Sequence, residues 1–179
     1  MKPNIYNFFK FLEEKENRPI PLKVKFLHAP EAITPEELDV KGNLDLRNTP
    51  ITSLPEGLKV EGNLNLHECT KLTSLPKGLK VRRNLYLGNC TKLTSLPESL
   101  EVGGSLDLGD CTKLESLPEG LKVGDDFYLE NCTKLTSLPE GLEVGGNLYL
   151  KNTPLAKKPD EEILDMIGPN GYIKGKIYR

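Results

Sequence analysis

The sequence predicts an α/β repeat solenoid, and three observations lead to that prediction. A unit of 21 residues with the step Leu-Pro-x-x-Leu recurs without slippage. Every unit holds a Leu-x-Leu pair at the same place, with Phe for the first Leu in one unit. Both ends of the chain lack the period and carry helical patterns. Because all units share one length and one pattern, each meets the same neighbours, as in a solenoid. The units begin at Leu54, Leu75, Leu96, Leu117 and Leu138.

The Leu-x-Leu pairs predict the strands of this solenoid. Residues two apart in a β-strand point the same way, so both apolar residues of a pair face the core. The pairs predict about six parallel strands in one sheet. The prolines later in each unit cannot donate to a strand ladder and are expected on the irregular side. The pairs are Leu44/Leu46, Leu64/Leu66, Leu85/Leu87, Leu106/Leu108, Phe127/Leu129 and Leu148/Leu150.

Glycine often stands just before the strand, where it permits unusual backbone angles. Arg83 and Asp125 occupy the same position in two other units, so we expect that no positive φ is required there. The glycines at this position are Gly42, Gly62, Gly104 and Gly146.

The cysteines recur with the same spacing, at Cys69, Cys90, Cys111 and Cys132. Disulfides require converging Cβ vectors, whereas equivalent positions of stacked coils point the same way. Metal sites favour clustered ligands. The sequence therefore favours a buried column of thiols that contact the backbone of the neighbouring coil. Thr49 and Thr153 replace cysteine in the end units, where we expect solvent to reach them.

Residues 64–76 carry the string L-x-L-x-x-C-x-x-L-x-x-L-P, which resembles the leucine-rich repeat with Cys at a position often held by Asn. The first unit, residues 44–55, is similar to a shorter bacterial form. The Leu-Pro-x-x-Leu step resembles repeats of bacterial type III effectors, and the string C-T-K-L-T-S-L-P resembles those of plant nucleotide-binding immune receptors. The resemblance covers residues 33–155 and implies a right-handed leucine-rich-repeat superhelix. Since this family serves many recognition tasks, it implies binding without naming a partner.

The two ends are expected to cap one structural domain, with caps at residues 1–32 and 155–179 around repeats at 33–154. Residues 4–15 are predicted as a helix that covers the first repeat, with a partner-binding helix as the alternative. The alternating residues 22–26 predict a strand before the first repeat. The apolar residues at helical spacing are Ile5, Phe8, Phe9 and Leu12.

The C-terminal cap is predicted to contain a helix and a hairpin. Pro159 suits the first position of the helix, and acidic residues follow in its first turn. Residues 172–178 are predicted to form a tight hairpin around Gly175 that covers the last repeat. The helix is expected to bury Ile163, Met166 and Ile167.

Function is expected at strand positions that point outward and vary between units. We single out Tyr86, Tyr128 and Tyr149, because a tyrosine side chain supplies a large contact area and loses little conformational entropy on binding. The alternative is that tyrosine simply suits strands. The candidate partner-binding residues on this concave face are Asp45, Arg47, Asn63, Asn65, His67, Asn84, Tyr86, Asp107, Asp126, Tyr128, Glu130, Asn147, Tyr149 and Lys151.

Charged residues recur on the opposite, convex side, and we interpret them as solvated faces, with an anionic partner as the alternative. A formal net charge of −2 gives no general attraction for nucleic acid or membrane. The lysine column is Lys71, Lys92, Lys113 and Lys134, and the mostly acidic column is Glu56, Lys77, Glu98, Glu119 and Glu140.

The sequence contains no recognisable catalytic motif. His28 and His67 lie in different regions, and no Ser or Cys nucleophile has a matching general base. We therefore expect no enzymatic activity, no cofactor and no metal. The leading hypothesis is a monomeric protein–protein interaction module, an effector, inhibitor or adaptor of bacterial or phage origin. The alternative is a protein that binds carbohydrate or a cell surface. A classical secretory signal is not evident, so we expect the cytoplasm, or export to a host by another route.

Overall fold

The computed structural model describes residues 5–98 and 100–179, which form a parallel β-solenoid with helices at its two ends. Each coil contributes a two-residue strand to each of two sheets, here called sheet A and sheet B. Each inner strand pairs in parallel with the equivalent strands of the coils before and after it, and each edge strand pairs with one of them. The prediction of a repeat solenoid with helices at its ends is confirmed.

The strands alternate between the two sheets along the chain. Those of sheet A are β1 (Asp39–Val40), β3 (Lys59–Val60), β5 (Lys80–Val81), β7 (Glu101–Val102), β9 (Lys122–Val123), β11 (Glu143–Val144) and β13 (Tyr172–Ile173). Those of sheet B are β2 (Leu44–Asp45), β4 (Leu64–Asn65), β6 (Leu85–Tyr86), β8 (Leu106–Asp107), β10 (Phe127–Tyr128), β12 (Leu148–Tyr149) and β14 (Ile177–Tyr178).

The core consists of columns in which each side chain lies between its equivalents in neighbouring coils. Leu64 is in register with Leu44 and Leu85, and Leu64 and Leu66 are fully buried. Phe127 takes the leucine position in its coil and is also fully buried. Burying one such side chain contributes about 2 kcal/mol. The repetition of this column in every coil is therefore the main source of stability.

The prediction of a single sheet of six strands is incomplete, because the described residues contain two sheets of seven strands. The five inner strands of sheet A bury one side chain each, such as Val81, which is in register with Val60 and Val102. One apolar residue in a two-residue strand leaves no alternation to detect.

The buried cysteine column is confirmed, because all four thiols are free and buried. Cys90 Sγ donates to the backbone oxygen of Leu66 in the preceding coil at 3.2 Å, and Cys132 Sγ donates to that of Leu108 at 3.1 Å. Burial raises the pKa of Cys111 to about 12. The Cys111 thiol therefore remains protonated, and the hydrogen bonds of the four thiols tie each coil to the one before.

The expectation that solvent reaches Thr49 and Thr153 is wrong, because both are buried. Each hydroxyl donates to a backbone oxygen of its own coil, Leu46 O at 2.6 Å and Leu150 O at 2.7 Å. Thr153 Oγ1 also accepts the N–H of Ala156 at 3.2 Å. A threonine thus satisfies its hydroxyl without an adjacent coil.

The glycines at the corner between the sheets provide space for the neighbouring coil. Neither Gly62 nor Gly104 has a positive φ, as expected. A Cβ on Gly104 would lie 2.3 Å from Asn84 Oδ1 in the preceding coil. A Cβ on Gly124 would lie 2.1 Å from the backbone oxygen of Gly103. Where glycine holds these positions, the coils approach so closely that a Cβ has no room.

The N-terminal cap contains α1 (Ile5–Glu16), α2 (Leu22–His28) and a 3-10 helix (Pro30–Ala32). The predicted strand at 22–26 is wrong, because this segment forms α2. Leu22 and Phe26 lie one helical turn apart and both pack on the core, so five alternating residues also suit a short helix.

The helix predicted at residues 4–15 is confirmed as α1, apart from residue 4, which lies outside the described residues. Its predicted role as a lid is wrong: α1 buries none of its residues, and Phe8 and Phe11 are 56% and 53% exposed. α1 contacts α2, whose Phe26 belongs to the core. Helix α2, which directly precedes the repeats in the chain, therefore makes the apolar contact with the core that was expected of α1.

Removing the charge of Glu37 is expected to destabilise the N-terminal cap. Lys25 is buried, and its Nζ donates to both carboxylate oxygens of Glu37 at 2.7 and 2.9 Å. Glu37→Gln leaves a buried ammonium without a counter-charge and should lower the free energy of unfolding by about 2 kcal/mol. Urea denaturation measures this, with Glu31→Gln at an exposed site as the control. Equal stability of the two variants would contradict the prediction.

In the C-terminal segment, α3 (Asp160–Ile167) follows a 3-10 helix (Pro154–Lys157). Helix α3 begins one residue after Pro159, which holds the N-cap position and not the first helical position. The predicted apolar residues pack on the core: Ile163, Met166 and Ile167. Among the described residues, no helix is both long and apolar enough to cross a membrane.

The predicted closing hairpin is wrong, because residues 172–178 form one more coil. β13 pairs in parallel with β11 and β14 with β12, so the two strands belong to different sheets. Gly175 donates its N–H to Gly146 O at 2.8 Å, as the corner residues of earlier coils do. The string Y-I-K-G-K-I-Y therefore corresponds, position by position, to E-V-G-G-N-L-Y in the preceding coil.

Candidate binding face

The candidate partner-binding residues lie on the outer face of sheet B. The first residue of each strand from β2 to β12 is buried in the core, Ile177 of β14 is half-buried, and the second residue points outward. Three columns follow from this alternation. The leading column precedes each strand, the middle column is its second residue, and the trailing column follows the second leucine. The middle column comprises Asp45, Asn65, Tyr86, Asp107, Tyr128, Tyr149 and Tyr178.

Three tyrosines stack at the C-terminal end of the middle column. The ring centroids of Tyr128 and Tyr149 are 4.6 Å apart, and those of Tyr149 and Tyr178 are 4.9 Å apart, with interplanar angles of 10°. These distances match the strand spacing of a β-sheet, so the sheet itself holds the rings parallel. Sequence reasoning missed Tyr178 because it assigned this residue to a hairpin. Its correspondence with Tyr149 was the signal available.

Tyr86 and Tyr128 both lean towards the leading column. Asn84 Nδ2 donates to the hydroxyl oxygen of Tyr86 at 2.9 Å, and the Tyr128 hydroxyl donates to Asp126 Oδ2 at 3.2 Å. Burial and, after it, this hydrogen bond to a carboxylate raise the pKa of Tyr128 to about 12. The two rings therefore have the same direction relative to their strands.

The leading column joins the coils to one another. Asn63 Oδ1 accepts the N–H of Asn84 at 3.0 Å, and Asp126 Oδ1 accepts that of Asn147 at 2.7 Å. Asn147 Oδ1 accepts the N–H of Lys176 in the last coil at 2.9 Å. Each of these predicted partner-binding residues therefore uses its Oδ1 in a hydrogen bond that joins two coils. Only its remaining polar atoms are open to a partner.

The short side chains of the middle column lean the other way, towards the trailing column. In each of them Oδ1 accepts the N–H of the residue two positions later. The pairs are Asp45 with Arg47 at 3.1 Å, Asn65 with His67 at 3.0 Å, and Asp107 with Gly109 at 2.9 Å. Tyrosines and short polar residues therefore occupy different halves of the same column.

Carboxylates dominate the centre of the outer face of sheet B. Asp107 and Glu130 lie there, and Asp110 follows in the next turn. Across the described residues, none of these three carboxylates takes part in an ion pair. Burial raises the pKa of Glu130, and the Asp107 and Asp110 carboxylates raise it further. The centre thus carries negative charge that no ion pair of the described residues neutralises.

Basic residues lie towards the two ends of this face. Arg47 Nε lies 3.1 Å from Asp45 Oδ2, and His67 Nε2 lies 3.7 Å from Glu68 Oε1. Lys151 is exposed in the coil that contains Tyr149. The outer face of sheet B therefore has an anionic centre between ends that contain cations.

The outer face of sheet A differs because its charges pair with one another. Such exposed pairs contribute less than about 1 kcal/mol each, but they leave little net charge for a partner. The pairs are Lys80–Glu101 and Lys122–Glu143 at 2.7 Å and Arg82–Glu61 at 2.8 Å. In the convex lysine column, Lys134 pairs with Glu115 at 2.7 Å.

Within the described ranges, no group of three His, Cys, Asp or Glu residues is arranged to hold a metal ion. Comparisons with protein-family models, with curated proteins and with solved structures find no match to this chain. Function is therefore inferred from the geometry of the molecule, and the outer face of sheet B offers the most distinctive geometry.

Proposed function

We propose that this chain is a leucine-rich-repeat protein that binds another protein through the outer face of sheet B and has no catalytic activity. The leucine-rich-repeat assignment is supported by the Leu-x-Leu strands of sheet B and by the thiol column at the position where that repeat often has Asn. In this proposal the protein acts as a cytoplasmic or exported effector, inhibitor or adaptor.

The stack of Tyr128, Tyr149 and Tyr178 is the observation that carries the binding proposal. The rings are already ordered by one another and by the sheet, at centroid distances of 4.6 and 4.9 Å. A partner that packs against them loses little side-chain entropy, which is the property of an interface hot spot. Unpaired carboxylates beside the stack would add specificity by selecting a basic partner surface.

The absence of catalysis is supported by the surroundings of the reactive groups. Burial raises the pKa of the Cys90, Cys111 and Cys132 thiols, which makes them poor nucleophiles. His67 is exposed beside Glu68 on sheet B, and His28 ends α2 in the N-terminal cap. These groups do not share a site.

The proposal predicts that partner capture depends on the tyrosine stack. Immobilised protein and the double variant Tyr128→Ala/Tyr149→Ala are compared in cell lysates by quantitative mass spectrometry. We expect the variant to retain at least tenfold less of the specific partner, since interface tyrosines each contribute on the order of 1–2 kcal/mol.

The matched control is Lys80→Ala/Glu101→Ala, which removes an exposed ion pair from the outer face of sheet A and should leave capture intact. Both variants must unfold near the wild-type temperature. Equal capture by the two double variants would show that the partner binds elsewhere. Loss of the partner after enzymatic removal of glycans from the lysate would instead support carbohydrate binding.

A further inference from the structure

The middle column of sheet B contains a gap between two tyrosine rings. Asp107 is in register with Tyr86 in one neighbouring strand and with Tyr128 in the other. The two rings therefore lie two strands apart, about 9.6 Å at the strand spacing of a β-sheet. Stacked rings elsewhere in the column are 4.6 and 4.9 Å apart. The gap therefore has the thickness of one further flat group.

Asp107 does not fill this gap. Its carboxylate leans towards Gly109, whose N–H it accepts at 2.9 Å, whereas both tyrosine rings lean towards the leading column. Ser105 holds the leading column in this coil, and it is the smallest side chain of that column. On the trailing side, the His67 imidazole extends over Gly88, where its Nδ1 lies 2.7 Å from the point at which a Cβ would be. At Gly109 only Asp107 Oδ1 and Glu130 O lie within 4 Å of such a point, so the trailing side is open there.

The walls of the gap are aromatic, and its trailing end is anionic. Asp107 Oδ2 and His67 Nδ1 lie 3.2 and 2.7 Å from the point where a Cβ on Gly88 would be, so the carboxylate lies at the trailing end of the gap beside the imidazole. Asp107 forms no ion pair with any described residue, and it acts electrostatically on Glu130 in the next coil. A group that suits this site is flat and positively charged.

We infer that the gap receives the guanidinium group of an arginine from the partner protein, stacked between Tyr86 and Tyr128 and paired with the Asp107 carboxylate. This inference rests on the proposed function, because the arginine belongs to a protein bound on the outer face of sheet B. A guanidinium at the midpoint lies about 4.8 Å from each ring, within the reach of a cation–π contact.

Arginine fits better than the other common ligands. Its guanidinium is flat and permanently charged, so both faces can stack on tyrosine while the N–H groups in its plane donate to a carboxylate. A lysine ammonium is a compact, strongly hydrated charge that cannot stack in this way. A neutral ring could stack but would gain nothing from the carboxylates at Asp107 and Glu130.

The test uses N-acetyl-arginine amide as the probe and NMR of the isotope-labelled full chain as the measurement. We expect a dissociation constant in the millimolar range, with shifts of the Tyr86 and Tyr128 ring signals and of the Gly109 amide. The Tyr149 ring is covered on both faces and should shift least. N-acetyl-citrulline amide, which is flat but neutral, and N-acetyl-lysine amide should bind at least tenfold more weakly. Equal binding of either probe would overturn the inference.

Variants of Asp107 sharpen the test. Asp107→Asn keeps an oxygen for the Gly109 N–H but removes the charge, and it should weaken arginine binding about tenfold. Asp107→Tyr should fill the gap with another stacked ring and abolish binding without loss of stability. Glu119→Gln, at an exposed carboxylate away from the outer face of sheet B, is the control and should bind as wild type does. Unchanged binding by Asp107→Tyr would place the arginine elsewhere.

The two proposals can fail separately. If partner capture depends on Tyr128 and Tyr149 but N-acetyl-arginine amide does not bind, the arginine inference is wrong and the binding face stands. If the amide binds in the gap but capture is unaffected by Tyr128→Ala/Tyr149→Ala, the proposed function is wrong.

Discussion

Gly124→Ala is expected to lower the free energy of unfolding by about 3 kcal/mol, whereas Gly42→Ala should leave it nearly unchanged. The new Cβ at residue 124 would lie 2.1 Å from the backbone oxygen of Gly103 and 2.6 Å from its carbonyl carbon. A backbone atom cannot turn away as a flexible side chain can. The coils must separate locally, and this strains the hydrogen bond from Gly124 N to Val102 O, which is 3.1 Å long.

Gly42 is the matched control because it lies at a sheet corner of the first coil. No atom lies within 4 Å of a Cβ built there, and its φ is not positive. Urea-induced unfolding followed by circular dichroism measures both variants. A Gly124→Ala variant within about 0.5 kcal/mol of wild type would show that the coils are not closely packed at this corner.

Alkaline pH is expected to unfold the protein steeply, starting near pH 9. Burial raises the pKa of Cys111 to about 12 and also raises the pKa of the Cys90 and Cys132 thiols. In the unfolded chain these thiols ionise near the ordinary value of about 8.5. Above that pH the folded state binds more protons than the unfolded state, so stability falls as pH rises towards the folded pKa. The loss is at most about 1.4 kcal/mol per pH unit for each thiol, or about 4 kcal/mol for the three.

The free energy of unfolding, measured in a reducing buffer between pH 7 and 11, tests this prediction. Cys111→Ala removes one of the titrating groups and the hydrogen bond to Leu87 O, which is 3.3 Å long. This variant should be less stable at pH 7 but should lose stability about one third less steeply above pH 9. A wild-type free energy that stays constant from pH 8 to pH 10 would contradict the assignment of the cysteines as buried, protonated donors.

The regular part of the fold follows from the sequence because the repeat places equal residues in equal surroundings. Leu64, Leu66 and Cys69 recur with one spacing, so a solenoid requires them to form continuous columns. The column interpretation of the thiols depends only on this geometry, and the hydrogen bonds to the preceding coil confirm it.

The elements that were predicted wrongly are those whose sequences have little periodicity. Residues 22–26 alternate as a strand does, but as a helix they pack Leu22 and Phe26 on the core and bring Lys25 to Glu37, 12 positions later. Residues 172–178 carry a degenerate unit in which Ile173 and Ile177 replace the usual Val and Leu. The near-symmetry of this segment is also compatible with a hairpin. The parallel pairing of its two strands with the preceding coil shows that it forms a further coil instead.

The sequence predicts which residues form the columns of the candidate face, but it does not predict the directions in which their side chains point. The sequence places Tyr86, Asp107 and Tyr128 on consecutive strands. It does not show that tyrosines lean one way and aspartates the other, because this depends on hydrogen bonds to residues two positions before or after. The gap between the rings follows from those opposite directions.

The near-identity of the coils also gives the protein a simple route for change. Unequal crossing-over between neighbouring repeats in the gene removes or adds one whole coil while the joins on either side stay compatible. Loss of the unit that contains Asp107 would bring the coil of Tyr128 directly against that of Tyr86. Such an event would close the gap and extend the ring stack, while the leucine and cysteine columns of the core would stay continuous.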